Sequence, residues 1–188
     1  MKKAVWVFAV LLLFVYHASN ASASAKSGFG VNLGVASNSM TGTFTDPPRT
    51  DYSYSSSGLS LGIDYQFALN EFFSINPFLM SSSEGVSGDL GSGIRAGHGI
   101  FGLQARYWIN DLFVGAHIAS YSEVLSSSSN SRETSVSGGG GGIGLVAGWE
   151  SPVGGLFVMG QVDSAGIKYA NSDNKLNGFR LSVGYRWK

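Results

Sequence analysis

Three residues of this chain, His117, Ser120 and Glu123, are of the types that a hydrolytic centre uses: a base, a hydroxyl nucleophile and a carboxylate. Their spacing works against them. In extended backbone, residues an odd number apart face opposite sides, so His117 points one way and Ser120 the other. His98 lies in a polar stretch without an evident partner and reads as a loop histidine, while His117 reads as an interior polar one. The histidines show no ligand spacing and there is no cysteine, so neither a metal site nor a disulfide framework is expected, and no cofactor. The glycine run at 138–142, with Gly144, has the composition of a phosphate loop. It lacks the following Lys-Ser/Thr and reads as a flexible loop leading into a glycine-rich wall. Six charged residues are read as facing inward, Asp64, Arg106, Glu150, Asp163, Arg180 and Arg186. Three carboxylates against three guanidiniums suit ion pairing better than catalysis.

What positions them is a recurring two-residue alternation. At 177–187, Phe179, Leu181, Val183, Tyr185 and Trp187 fall on one face of an extended strand, and Gly178, Arg180, Ser182, Gly184 and Arg186 on the other. Equivalent segments lie at about 28–38, 58–68, 72–81, 99–109, 112–121, 141–150 and 156–164. A tilted strand of about ten residues crosses a bilayer. Pro77 makes the third segment the weakest and suggests a bulge there. The sequence therefore predicts an all-β chain: an eight-stranded antiparallel up-and-down transmembrane β-barrel.

Short turns are expected at 69–71, 110–111 and 151–155. The segments 39–57, 82–98, 122–140 and 165–176, rich in Ser, Gly, Asn, Asp and Thr, read as long loops, with 126–129 as low-complexity linker. With both termini on the turn side, Tyr65, Phe67, Phe73, Tyr107, Trp149, Phe157, Tyr185 and Trp187 cluster near that end as an interfacial girdle.

Inside so narrow a barrel, side chains fill the lumen. The inward charges pair by height as Asp163 with Arg180, Glu150 with Arg186 and Asp64 with Arg106, with His117 beside them. A wide diffusion pore is not expected. The loop at 39–57 carries Phe44, Pro47, Pro48, Arg49, Tyr52 and Tyr54. Exposed aromatics near an arginine suit contact with protein or glycan. Tyr52 and Tyr54 are equally consistent with anchors in the outer interface.

Composition agrees. Charged residues make up 13% of the chain, against roughly 25% in ordinary soluble domains, so little of the surface is built for water. The net charge of zero removes a basic stripe for nucleic acid. Lys2 and Lys3, the apolar run at 4–16 and the small residues Ala21-Ser22-Ala23 and Ala23-Ser24-Ala25 have the pattern of a secretory leader. Cleavage is expected after Ala23 or Ala25, giving a leader at 1–25 and one barrel domain at 26–188. An exported soluble barrel such as a lipocalin would turn its apolar face inward. The sparse charge on the polar face and the missing G-x-W start argue against it.

The terminal Val183, Tyr185 and Trp187 resemble the C-terminal assembly signal of bacterial outer-membrane barrels, with Lys188 as a departure because that family usually stops on the aromatic. Strand number, tight turns and surface segments resemble the small barrels of the OmpA/OmpX type over the whole mature chain. The resemblance implies a Gram-negative outer-membrane location, recognition by the barrel-assembly machinery, contact with outer-membrane lipid and lipopolysaccharide, and a monomer. It implies a non-enzymatic role in adhesion, host-factor or lipopolysaccharide binding, or membrane stabilisation. Some small outer-membrane barrels deacylate lipid A with His, Ser and Glu, but their H-x-S spacing is missing here. A lipid A-modifying enzyme and a narrow channel are the alternatives. No peptidoglycan-binding domain is expected after the barrel.

Overall fold

The computed structural model describes residues 25–46, 48–90, 93–129 and 132–188. Residues 1–24 of the expected leader fall outside them, as does Pro47. Eight strands follow in chain order: β1 (Gly28–Phe44), β2 (Asp51–Ala68), β3 (Phe73–Gly88), β4 (Ile94–Ile109), β5 (Leu112–Ser129), β6 (Arg132–Glu150), β7 (Leu156–Tyr169) and β8 (Ser172–Trp187). Each is antiparallel to its sequence neighbours, and β1 pairs with β8 from Phe29↔Trp187 to Phe44↔Ser172, which closes the barrel. Closure leaves no edge strand, so the wall satisfies its own backbone in a solvent that offers no hydrogen bonds.

The alternation sets the two faces. Leu33, Leu61, Ile63, Leu79, Phe101, Leu103, Ile118, Ile143, Leu145 and Leu181 are all exposed on the outside. Asn32, Asp64, Asn76, Gln104, Arg106, His117, Gln161, Asp163 and Arg180 are buried inside. An apolar exterior around a polar interior is the reverse of a lipocalin, and it matches a wall immersed in hydrocarbon. At the turn end Phe29 stacks on Trp187 at 6.1 Å, Tyr185 meets Trp187 edge-on at 5.1 Å, and Phe73 leans on Tyr107 at 5.0 Å. Phe157 departs from the expected girdle. It shares the face of Gln161 and Asp163, is 1% exposed, and lies inside the lumen beneath the Arg186 guanidinium.

The largest correction concerns the loops. The strands run from 14 to 19 residues, well beyond the ~10 needed to cross a bilayer. Most of the segments read as loops are upward continuations of the wall. The connections at that end span only 45–50, 89–93, 130–131 and 170–171, so they are not longer as a class than the turns at 69–72, 110–111 and 151–155. Above the apolar belt the outer face becomes Ser37, Ser39, Ser53, Ser55, Ser57, Ser81 and Ser83, all exposed. The inner face there mixes Ser, Asn and Glu with Met, Tyr and Val, so the apolar-out, polar-in period is lost while the backbone ladder continues without it. The glycine run likewise belongs to β6, with Gly139 opposite Ser122 on β5 and Lys168 on β7. Gly144 faces inward where a Cβ would collide with the His117 ring and the Val162 carbonyl, so the close approach requires glycine.

Pro77 produces no bulge. The β2–β3 register runs through Asp64↔Phe78 to Phe67↔Ile75 with no residue inserted, and Pro77 pairs in register with Leu103 on β4. The missing N–H interrupts pairing with β2 locally and nothing more. In the turn at 110–111, Asn110 adopts φ 56°, a left-handed conformation that asparagine tolerates.

The change of exterior with height gives a direct test. Ile63→Arg, at the centre of the outward row from Leu59 to Phe67, is expected to destabilise the bilayer-embedded barrel by about 2–4 kcal/mol. Ser55→Arg, on the same strand above the belt, should stay within about 0.5 kcal/mol. Reversible urea unfolding from lipid vesicles measures both, and equal costs would place Ser55 in hydrocarbon.

Candidate functional site

The lumen holds three layers of polar chemistry interleaved with two apolar clusters. Nearest the turn end, Trp108, Phe113, Val146, Phe157 and Met159 pack with Ala25. Interleaved with them is an ion-pair layer. Arg186 reaches Glu150 through Nε at 3.0 Å and Asp64 through Nη2 at 3.0 Å, while Arg106 Nη2 lies 3.5 Å from Asp64. Asn76 donates to Asp64 at 3.0 Å and Arg106 Nη1 donates to Gln66 at 3.2 Å. The two guanidiniums also cover aromatic faces, Arg106 over Phe113 at 4.6 Å and Arg186 over Phe157 at 5.3 Å. Lys188 Nζ sits 3.0 Å from the second Glu150 oxygen, so the residue beyond the terminal aromatic closes this layer from below.

The middle layer centres on Asp163. Arg180 contacts one carboxylate oxygen, and the other accepts from Tyr121 at 2.9 Å and Gln161 at 2.9 Å, with His117 Nε2 also 2.9 Å away. Phe78 meets the His117 ring edge-on at 5.3 Å. Two adjacent strands, β7 and β8, place Asp163 and Arg180 side by side, and β5 brings His117 to them.

The upper layer is one that the sequence reading did not assemble. Glu84, His98 and Glu123 are 2%, 3% and 0% exposed and face one another across the lumen. His98 Nε2 is 2.9 Å from Glu123, and Nδ1 lies 3.8 Å from Glu84. Asn38 donates to both Glu84 oxygens at 2.8 Å, and Ser56 and Ser82 donate to it as well. Glu123 accepts from Tyr54 at 2.8 Å and from Tyr169 at 2.5 Å. His98 is therefore an interior residue rather than a loop residue. The lumen also holds two more carboxylates than the three counted from sequence. The signal was present: Ser82 and Glu84 continue the parity of Ser74, Asn76 and Phe78, and His98 that of Gln104 and Arg106. Reading 82–98 as a loop cut that parity short.

His117 is buried and Ser120 exposed on the opposite face, so the two do not meet. Glu123 partners His98 instead, with tyrosine hydroxyls rather than a serine beside it. Among the described residues no group of three or more His, Cys, Asp or Glu side chains has metal-holding geometry.

At the upper end, Phe44 and Arg49 are exposed and Tyr52 is half-buried, with Phe44 and Tyr52 in ring contact at 4.7 Å. Tyr52 and Tyr54 stand on β2, not on a loop. Tyr54 is 3% exposed and bound to Glu123, so it neither contacts a surface partner nor anchors in the interface. Parity is the reason: both tyrosines continue the inward face of Ser56, Ser60 and Asp64. Val183, Tyr185 and Trp187 line the outside of β8, exposed as a row.

Closed eight-strand topology, an apolar belt and a filled polar lumen now stand together. The chain has the fold of a small outer-membrane barrel. Among solved structures it is similar to Ail, the attachment invasion locus protein of Yersinia pestis. The TM-score is 0.53 at 14% identity, covering 86% of this chain and 99% of that one. A structure of Ail with the heparin analogue sucrose octasulfate aligns with a TM-score of 0.49 at 17% identity, over 86% and 99%. The outer membrane protease OmpT of Escherichia coli gives 0.42 at 8% identity, over 89% and 100%. No protein-family model matches the chain. No curated protein matches it significantly in sequence.

The barrel's middle layer can be tested by a thermodynamic cycle. Arg180→Ala and Asp163→Ala are each expected to cost about 3–5 kcal/mol, because either leaves an uncompensated buried charge. The double variant should lose clearly less than the sum. Additive losses in urea unfolding would mean that the two groups are not coupled.

Proposed function

We propose that this protein is an integral outer-membrane barrel, exported by a cleaved leader, that acts without catalysis as a surface recognition or membrane-stabilising protein. The observation that carries the reading is the shape of the wall. Eight strands rise beyond the apolar belt with a serine-rich outer face, above a lumen crossed by three polar layers and two apolar clusters. A filled lumen does not serve diffusion, whereas a raised, hydrogen-bonded rim presents side chains to the outside on a rigid support. Phe44, Arg49 and Tyr52 occupy that rim and are its candidate contacts, for a host or surface protein or for lipopolysaccharide.

The partners during biogenesis and residence follow the same logic. The barrel-assembly machinery would read the outward Val183, Tyr185 and Trp187, and outer-membrane lipid would cover the belt. A monomer is the proposed state, since closure leaves no strand edge to pair with a second chain. The likeness to Ail at 14% identity supplies the architecture and not the ligand. A lipid A-modifying role is disfavoured by the opposite orientations of His117 and Ser120, and by the burial of His98 and Glu123 under tyrosines.

The test is binding of whole cells to matrix proteins, serum proteins and lipopolysaccharide, with rim substitutions rather than deletions, because deleting 41–54 or 125–139 would remove strand. Phe44→Ala with Arg49→Ala is expected to lower binding roughly tenfold at unchanged surface level, as truncation of interface anchors does. Binding indifferent to both would leave membrane stabilisation as the role. In planar bilayers the purified barrel should show no steady ion current, and a steady current would favour the narrow channel.

A further inference from the structure

At the outer mouth of the lumen lies a cavity of about 410 Å³, within the range of small-molecule sites. Its wall is formed by Phe44, Tyr52, Ile94, Leu125, Val136 and Tyr169. These side chains continue the inward faces of six strands, at a level where the outward faces carry Ser53, Ser55, Ser137, Lys168 and Asp173. The bilayer therefore does not cover them. They are not sealed in a core either: Val136 remains 51% exposed and Phe44 41% exposed. An apolar surface that meets neither lipid nor packed protein marks a place where something else binds.

We propose that this cup binds a compact, neutral, aromatic molecule bearing a single hydroxyl. The charge pattern selects that chemistry. Among the described residues no charged one lines the cavity, and the Glu123 carboxylate lies directly beneath its floor, held by the Tyr169 hydroxyl. An anion would lose its hydration there without meeting a cation, and would face a buried carboxylate. Polar groups are few and fixed in direction. Tyr52 donates to Asn174 at 2.6 Å with Ser172 Oγ 3.1 Å away, and Tyr169 donates to Glu123, so both phenols are already held and the hydroxyls of Ser127 and Thr134 are left to meet a ligand hydroxyl. Ser127, Thr134 and Ser172 add hydroxyls to the lining. Rigid aromatic walls with a few oriented polar groups are what small-molecule sites use for orientation.

The inference deepens the recognition reading and rests on its view that the rim faces outward. Its own test does not depend on whether cells bind a macromolecule. Fluorine NMR of para-fluorophenol would be recorded with the full mature barrel in phospholipid nanodiscs, against empty nanodiscs. Saturable line broadening above the empty-disc level is the expected result. Ser127→Trp, which fills the cup from β5, should weaken binding roughly tenfold or more, and Ser137→Trp, on the outer face at similar height, should leave it unchanged. Val136→Asp provides a second variant, expected to weaken binding without adding bulk. Sheet circular dichroism checks that each variant is folded. Para-fluorobenzoate should bind much more weakly than the phenol. Broadening no greater than with empty discs, or equal in wild type and both cup variants, would overturn the site. Equal affinity for the benzoate would overturn the chemistry assigned to it.

Discussion

In hydrocarbon a backbone amide has no partner except another backbone group, and each unsatisfied one costs several kcal/mol. The pairing of β1 with β8 is where this chain meets that requirement. Without the seam from Phe29↔Trp187 to Phe44↔Ser172, both strands would present an open edge to the membrane. With it, every strand has two neighbours, and the faces of the wall divide cleanly into lipid side and lumen side. The girdle, the belt, the packed interior and the raised rim are all consequences of a ladder that closes on itself.

Closure creates the second demand, which is to fill a lumen that is neither water nor lipid. Apolar residues packed between the polar layers, Trp108, Phe113 and Phe157 beside the lower ion pairs and Met40, Met80, Ile100, Ile167 and Leu176 around the upper carboxylates, exclude water from them. Those layers persist because nearly every charge in them is held by several partners. Asp163 meets a guanidinium, an imidazole, a phenol and an amide, and Glu84 is held by an asparagine and two serines. A buried charge with one weak partner would be a liability, whereas a fully bonded one fixes the register of the strands that carry it. The glycines of β6 belong to the same economy of space, since Gly144 gives the His117 ring its room.

Much of the barrel's lower half was legible in the sequence, and most of its upper half was not. Leu59, Leu61, Ile63, Tyr65 and Phe67 alternate with Ser60, Gly62, Asp64 and Gln66, so the environment writes itself into the chain as a two-residue period. The difference at 82–98 and 39–57 is that water lies outside the wall there. Ser83 and Gly85 outside, with Ser82 and Glu84 inside, carry no contrast in polarity, so a regular strand looks like a loop. Glu84, His98, Glu123 and Tyr54 were missed or misplaced for this one reason. Phe157 shows the converse: an aromatic at the height of the girdle, whose parity and not its type sends it inward.

By itself the sequence determined the leader pattern, the number of strands, their order and the identity of the lipid-facing residues, because a bilayer imposes a period that short-range chemistry must obey. The height of the wall above the membrane was decided only by the tertiary structure. So were the three-layer interior, the meeting of Glu84, His98 and Glu123 from separate strands, and the apolar cup at the mouth. Those features depend on which residues of different strands reach the same level around a closed, staggered cylinder, and that is fixed by register and not by any local pattern.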